Sequence, residues 1–357
     1  MKTYIKFLSS IFLKSFFYVI LIMLSLVLIL NILSELEFFK EIEIGINHTL
    51  LLSLLNSPSM LFEMFPFIFL ITTQFFFIKL FENNQLEVFK YSGLRNSSIL
   101  MILSGISFII GIFIVIIFYN FSANFKNFYL EKKSQYTVDG KYLAVITKNG
   151  LWIKDEINEK IYIINSSEIK GNFLIDNFIT EFNKQYEVIR NIQSNKIDVK
   201  EKNWLIYNAK VYDKNDYEVK KNLEIKTNFD YERIQSLYSN LSSLNIFQLF
   251  KLKNNYKKLN YSVTAVNLQL LKIAAYPLYL LLITIFASLI MFRIKRLDST
   301  TFKISLGLFI SVIIYYINNF FLVMGSTERI SLILAVFIPL LLLGIVNTFM
   351  VYKINEK

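Results

Sequence analysis

The chain has no cysteine, a single histidine (His48), four prolines and ten glycines. Without cysteine there is no disulfide, no thiol nucleophile and no sulfur-ligated metal. One histidine cannot build a cluster of imidazole ligands, so no metal site is expected. The sequence contains no G-x-x-x-x-G-K-[ST] phosphate cradle, no G-x-S-x-G and no H-E-x-x-H. No catalytic residue and no cofactor is therefore expected, and any work the protein does draws on a partner or an ion gradient. Acidic residues are missing from the middle of its apolar runs, which argues against proton-coupled transport.

What is abundant is apolar surface. Of 357 residues, 54% are hydrophobic and 35 are phenylalanine, more than one soluble core uses, which makes this a membrane protein. Six runs are long enough to span: about 11–33, 60–80, 98–121, 268–292, 302–323 and 329–351. They form two groups of three around a polar stretch, giving domains at 1–121, 122–267 and 268–357. The first run is too long for a signal peptide and lacks a small-residue cleavage site, so it reads as a retained span. The net charge of +11 then reports orientation and contact with anionic head groups rather than nucleic acid. With the N-terminus in the cytoplasm, that side holds Lys2, Lys6, Lys79, Lys90, Arg95, Arg293, Lys295, Arg296, Lys303, Lys353 and Lys357. The opposite short loops hold only Lys40 and Arg329, beside Glu35, Glu37, Glu41 and Glu43. This asymmetry predicts both termini inside and the 122–267 insert outside.

The insert reads as strands. `KYLAVITKNGLWIKDE` has two β-rich runs broken at Asn149-Gly150, a hairpin signal, and `KIYIINSSEIKGNFLIDNFITEF` breaks at Gly171. In `NWLIYNAKVYDK`, Leu205, Tyr207, Ala209 and Val211 alternate as in a half-buried strand. Seven to nine strands over 137–229 predict a sandwich or jelly roll. A short helix with a basic end (Lys251, Lys253, Lys257, Lys258) follows within 239–262, facing either lipid head groups or water. The fold class is an α+β integral membrane protein: six spans, three plus three, with a β-jellyroll-like domain between the third and fourth.

Between the second and third spans lies `NNQLEVFKYSGLRNS`, residues 83–97, a polar segment with helical spacing. Leu86, Phe89 and Gly93 form one stripe, Glu87 and Lys90 face elsewhere, and Gly93 can end the helix. Such a helix either lies on the head groups or plugs its stripe into a partner. Lys14, Glu63 and Lys272 each lie within a turn or two of a span end, where snorkelling to the interface accounts for them. The aromatic wealth of `FPFIFLITTQFFFIKLF` suits lipid-facing packing or an acyl-chain cavity.

Taken in order, several segments resemble the LptF/LptG family of lipopolysaccharide export permeases. `SPSMLFEMFPFIFLI` resembles the family's second span with its two prolines, here Pro58 and Pro66. `NNQLEVFKYSGLRNS` resembles its coupling helix, which typically reads S-E-L-x-x-x-[RK]-x-[SA]-G-[VL]-S. `YLAVITKNGLWIKDE` resembles the strand opening its periplasmic domain. `LQLLKIAAYPLYLLL` resembles its fourth span, with Lys272 and Pro277. The first loop, `NILSELEFFKEIEIG`, is closer to LptG than to LptF.

The resemblance implies a bacterial inner-membrane permease subunit that extracts lipopolysaccharide and passes it to a periplasmic bridge. ATP would be hydrolysed by a separate LptB-type ATPase dimer. A second LptF-type permease, an LptC-type bitopic protein and membrane lipids complete the expected partners, with no nucleic acid. The coupling helix would carry Gln85, Leu86, Glu87, Phe89, Lys90 and Gly93, and Lys40 and Lys272 are the candidates for lipid head groups, against simple interfacial anchoring. This chain departs from the family pattern at one point. Aligning Leu86, Ser92 and Gly93 puts the family's acidic coupling residue at Gln85, while Glu87 lies about 160° round the helix. Gln85 is the positional equivalent and Glu87 the candidate substitute. Two other classes stay open: another ABC lipid or lipoprotein exporter subunit, which usually has four spans, and a non-transporting envelope scaffold or sensor.

Overall fold

The computed structural model describes the whole chain apart from residues 1–2, 41–44, 135, 137–150, 158–159, 171, 214–215, 232–233, 235–239, 259–261, 294–299 and 356–357. Two compact units emerge, Met1–Lys126 with Thr264–Lys357, and Asn127–Val263.

In the first unit the chain forms α1 (Thr3–Phe38), α2 (Ile46–Glu82), the short α3 (Gln85–Tyr91) and α4 (Asn96–Phe113). A π-helical turn (Ile114–Phe118) leads from α4 into α5 (Tyr119–Ser134). After the β unit and its helix α6 (Ile246–Lys258) come α7 (Thr264–Arg293), α8 (Thr300–Ser326) and α9 (Leu332–Asn355). Among the described residues, six helices are long and apolar enough to cross a membrane, three before and three after the sheet, with α4 and α5 counting as one.

The second span differs from the sequence reading. Its helix starts at Ile46, well before residue 60, and runs through both Pro58 and Pro66. An interior proline removes one backbone donor, a loss that neighbouring helices can repair, so `SPS` does not end the helix. Repair is visible at Pro66. Its missing N–H leaves the Phe62 carbonyl without a partner in α2, and the Tyr276 hydroxyl of α7 donates to that oxygen at 2.6 Å. Tyr276 also stacks on the Phe62 ring, with centroids 4.8 Å apart.

The helices α2 and α7 are the centre of the bundle: 72% and 67% of their apolar windows are buried, against 11% for α8. Close approach is allowed where side chains are absent. A Cβ on Gly111 of α4 would lie 2.9 Å from the Pro277 Cα of α7. Polar groups also join helices. Asn31 of α1 donates to Ser57 Oγ of α2 at 3.1 Å and accepts from Asn56 Nδ2 at 2.9 Å.

Among the described residues of the second unit, six strands form one antiparallel sheet in the order β1-β2-β3-β4-β5-β6. They are β1 (Leu151–Ile157), β2 (Lys160–Lys170), β3 (Phe173–Phe182), β4 (Val188–Asp198), β5 (Asn203–Asp213) and β6 (Asp216–Lys226). The expected turn at Gly171 falls between β2 and β3. The hairpin expected at Asn149-Gly150 lies outside the described residues, as do Gly171 itself and the early part of the region read as seven to nine strands.

The alternation expected along β5 holds only for its second half. Ala209 and Val211 are buried, but in the first half Trp204 and Ile206 are the buried pair, not Leu205 and Tyr207. Between the halves Asn208 is left-handed (φ 49°), which resets which face the following side chain takes. The same reversal occurs in β3 at Asp176 (φ 50°), where burial passes from Leu174 to Asn177. A buried polar seam follows this crease. Ser166 Oγ donates to Asn177 Oδ1 at 2.5 Å, Asn177 Nδ2 to the Ser194 carbonyl at 3.3 Å, and Ser194 Oγ to the Tyr207 carbonyl at 2.6 Å.

Trp204, Ile192, Ile197 and Ile206 lie in the core of this unit, covered by Phe229 and Ile234 from the segment after β6. Trp204 Nε1 donates to the Phe229 carbonyl at 2.8 Å. Buried Asp155 of β1 accepts from the backbone and side-chain nitrogens of Asn228, tying that segment back to the first strand. Helix α6 opens with a reciprocal cap between Asn245 and Gln248, both bonds 2.9 Å.

Candidate functional site

Two places in the first unit gather side chains that helix packing alone does not require. The first is α3. Asn84 turns the chain out of α2 in a left-handed conformation (φ 53°), and seven helical residues follow. The helix ends in a Schellman motif: Leu94 N–H bonds the Phe89 carbonyl at 2.9 Å and Gly93 N–H the Lys90 carbonyl at 3.0 Å. Gly93 has φ +80°, a conformation in which a Cβ is costly. Glu87 in the first turn and Lys90 in the last complement the helix dipole.

The stripe expected to serve as an outward anchor faces inward. Leu86 is 1% exposed, and the Phe89 ring meets Phe7 of α1 with centroids 5.8 Å apart. These apolar groups bury against the chain's own helices because that contact is available within one polypeptide, at no association cost. Gln85 also turns its amide oxygen inward, where it is buried without a hydrogen-bond partner. The outer surface of α3 consists of Glu87, Val88, Lys90 and Tyr91, with Val88 and Tyr91 60% and 90% exposed.

The second place is a cavity of about 210 Å³ bounded by α2, α7, α8 and α9. Its polar lining comprises Glu63, Lys272, Tyr279, Tyr315, Asn318 and Asn319. Phe62, Pro66 and Tyr276 border it, so the proline repair described above shapes its wall. Lys126 of α5 is within electrostatic reach of Glu63, yet no ion pair joins them. Lys272 is thus part of a polar chamber, half-buried, rather than a lone snorkelling lysine. Lys40 is exposed in the turn after α1, and Lys14 is exposed on α1.

Sequence reasoning singled out Lys272 and Glu63 but did not join them, and it missed Tyr279, Tyr315, Asn318 and Asn319. The signal available was `YYINN` (315–319), a polar cluster inside an otherwise apolar run.

A family model described as "Lipopolysaccharide export system permease LptF/LptG" matches residues 6–353. The chain belongs to the LptF/LptG permease family. It is a multi-pass membrane protein of the lipopolysaccharide export system, whose ATPase is a separate subunit. No curated protein matches the chain. Membership of LptF/LptG brings partners of the same export complex.

Proposed function

We propose that this chain is the LptG-like subunit of an inner-membrane exporter, paired with a second LptF-type permease above an LptB-type ATPase dimer. Both termini face the cytoplasm and the β unit faces the periplasm, where it hands lipopolysaccharide to an LptC-type bitopic protein and the bridge beyond. The lysine and arginine asymmetry of the short loops supports this orientation. Lys40, exposed after α1, is a point-charge contact for the phosphates of lipopolysaccharide. Strand β6 pairs only with β5 among the described strands, leaving an edge for a partner's strand. Its charged residues, Glu218, Lys220, Lys221 and Glu224 among them, guard that edge against self-association.

The coupling role of α3 rests on one observation: its apolar stripe is fixed to the body of the chain while Glu87, Val88 and Tyr91 point away. A helix held from behind transmits a push from the ATPase to α1 and α2. The carboxylate it offers is Glu87, which takes the place of the family's acidic residue, because the Gln85 amide oxygen is turned in.

The test is co-purification of the ATPase with the full permease complex, and ATP turnover in that complex. Glu87→Lys is expected to weaken docking by at least about tenfold, or ~1.4 kcal/mol, the scale of one lost charge-assisted contact. Gln85→Ala is expected to leave docking within about twofold, since its buried oxygen makes no outward contact. The reverse pattern assigns coupling to Gln85. Normal docking and turnover in both variants removes α3 from the coupling path.

A further inference from the structure

We propose that the cavity among α2, α7, α8 and α9 binds a phosphate group that carries a neighbouring amine, the phosphoethanolamine headgroup of a lipid. Glu63 and Lys272 share this chamber without forming an ion pair. A purely structural pair of opposite charges closes, as Lys160 and Glu181 do at 2.7 Å in the β unit. Here each charge is kept for something between them. Phosphate alone would be repelled by Glu63, and a simple cation by Lys272. Glu63 is exposed and Lys272 half-buried, so both can reach a ligand, and a neutral sugar or amide would engage neither charge. A zwitterion satisfies both, with its phosphate on Lys272 and its ammonium on Glu63.

The rest of the lining fits the same occupant. Among the described residues, the hydroxyls of Tyr279 and Tyr315 and the amides of Asn318 and Asn319 make no hydrogen bond with the protein. Tyr315 is exposed and Asn318 and Asn319 are partly so, which leaves these groups open to a polar ligand. The cavity, about 210 Å³, has room for a small headgroup. The depth also fits. At 1.5 Å per residue, Lys272 lies about 12 Å from the start of α7 and Asn318 about 12 Å from the end of α8, near the boundary of head groups and acyl chains.

Two lipids carry this chemistry: phosphatidylethanolamine, and lipopolysaccharide whose phosphates bear ethanolamine. The purified permease–ATPase complex would be stripped of lipid and read by native mass spectrometry without ATP. It would be given phosphatidylethanolamine or phosphatidylglycerol, and then lipopolysaccharide with or without phosphoethanolamine. Wild type is expected to favour the amine-bearing member of at least one pair by about tenfold, the scale of one charge-assisted contact. Glu63→Gln should abolish that preference, while Lys272→Met weakens both members. Tyr279→Phe, a milder change, should lower retention by a few-fold and guards against misfolding of the charge variants.

Whichever pair shows a Glu63-dependent preference identifies the source. Equal retention of amine-bearing and amine-free lipids, a preference indifferent to Glu63, or no lipid retained would each overturn the proposal. The readout does not involve α3, so a failure of the coupling reading would leave this result intact, and the reverse.

Discussion

The β unit and the helix bundle treat neighbouring opposite charges in different ways. In the β unit, Glu181 is fully buried and closed by two cations, Lys160 at 2.7 Å and Arg190 at 2.6 Å. In the bundle, Glu63 and Lys272 line one cavity and stay apart. The first arrangement repays desolvation with geometry and fixes the register of β2, β3 and β4 around one carboxylate. In the second, Glu63 is exposed and Lys272 half-buried, so neither charge is closed off from a ligand. A closed pair is structural and an open one awaits a ligand, and the two can be separated by experiment.

The largest expected effect is in the closed cluster. Arg190→Ala leaves Glu181 buried with Lys160 alone and should cost about 2 kcal/mol, below the full cost of a broken buried pair because the cation is partly exposed. Both tryptophans of the chain, Trp152 and Trp204, lie in this unit, the first exposed and the second buried. Tryptophan emission during urea unfolding of the full chain therefore reports the β unit alone. Glu63→Gln, by contrast, should move the heat-aggregation midpoint of the detergent-solubilised protein by no more than a change of about 0.5 kcal/mol produces. A loss as large as that of Arg190→Ala would erase the distinction.

A smaller effect tests the wall of the open site. Tyr276→Phe removes the hydroxyl that meets the Phe62 carbonyl and should cost about 1–2 kcal/mol, the price of an unmet buried acceptor. In a Pro66→Ala background the helix regains its own donor, so the same change should cost less than about 0.5 kcal/mol. Equal penalties in both backgrounds, measured by the same aggregation midpoint, would mean that Tyr276 acts through its stacking on Phe62 alone.

The spans were legible because twenty apolar residues leave few alternatives. The start of α2 was not, since a proline that ends a helix in water can be carried within a bundle. Strand β5 was legible as a strand but not in its facing, because one left-handed residue, Asn208, shifts the phase without any break in β-forming composition. The helix at α3 and its glycine stop were readable from spacing. The side its stripe takes was not, because the wheel shows that Leu86 and Phe89 share a face and says nothing of what covers it. The cavity was least legible of all. Glu63, Lys272 and Asn318 lie on three helices far apart in the sequence, each near a span end where an isolated polar residue has an ordinary explanation. Only packing brings them together.

The smallest effect sharpens the closed side of the comparison through pH. The hydrogen bond to Glu181, and then its charge, hold Lys160 protonated above its ordinary value near 10.5. A cation with a raised value in the folded state contributes fully below its unfolded value, and the contribution fades as pH climbs through the folded one. Tyr162 acts in the same direction. Burial, reinforced by the charge of Glu181, raises its hydroxyl above 10, so the folded state resists its ionisation. The β unit should thus lose stability on the alkaline side, seen as a red shift of Trp204 emission as pH rises above about 10. In Lys160→Met the Lys160 share of that loss is absent, leaving the shallower dependence due to Tyr162. Identical alkaline profiles in the two proteins would show that Lys160 merely lies beside Glu181, and that Arg190 alone closes the buried carboxylate.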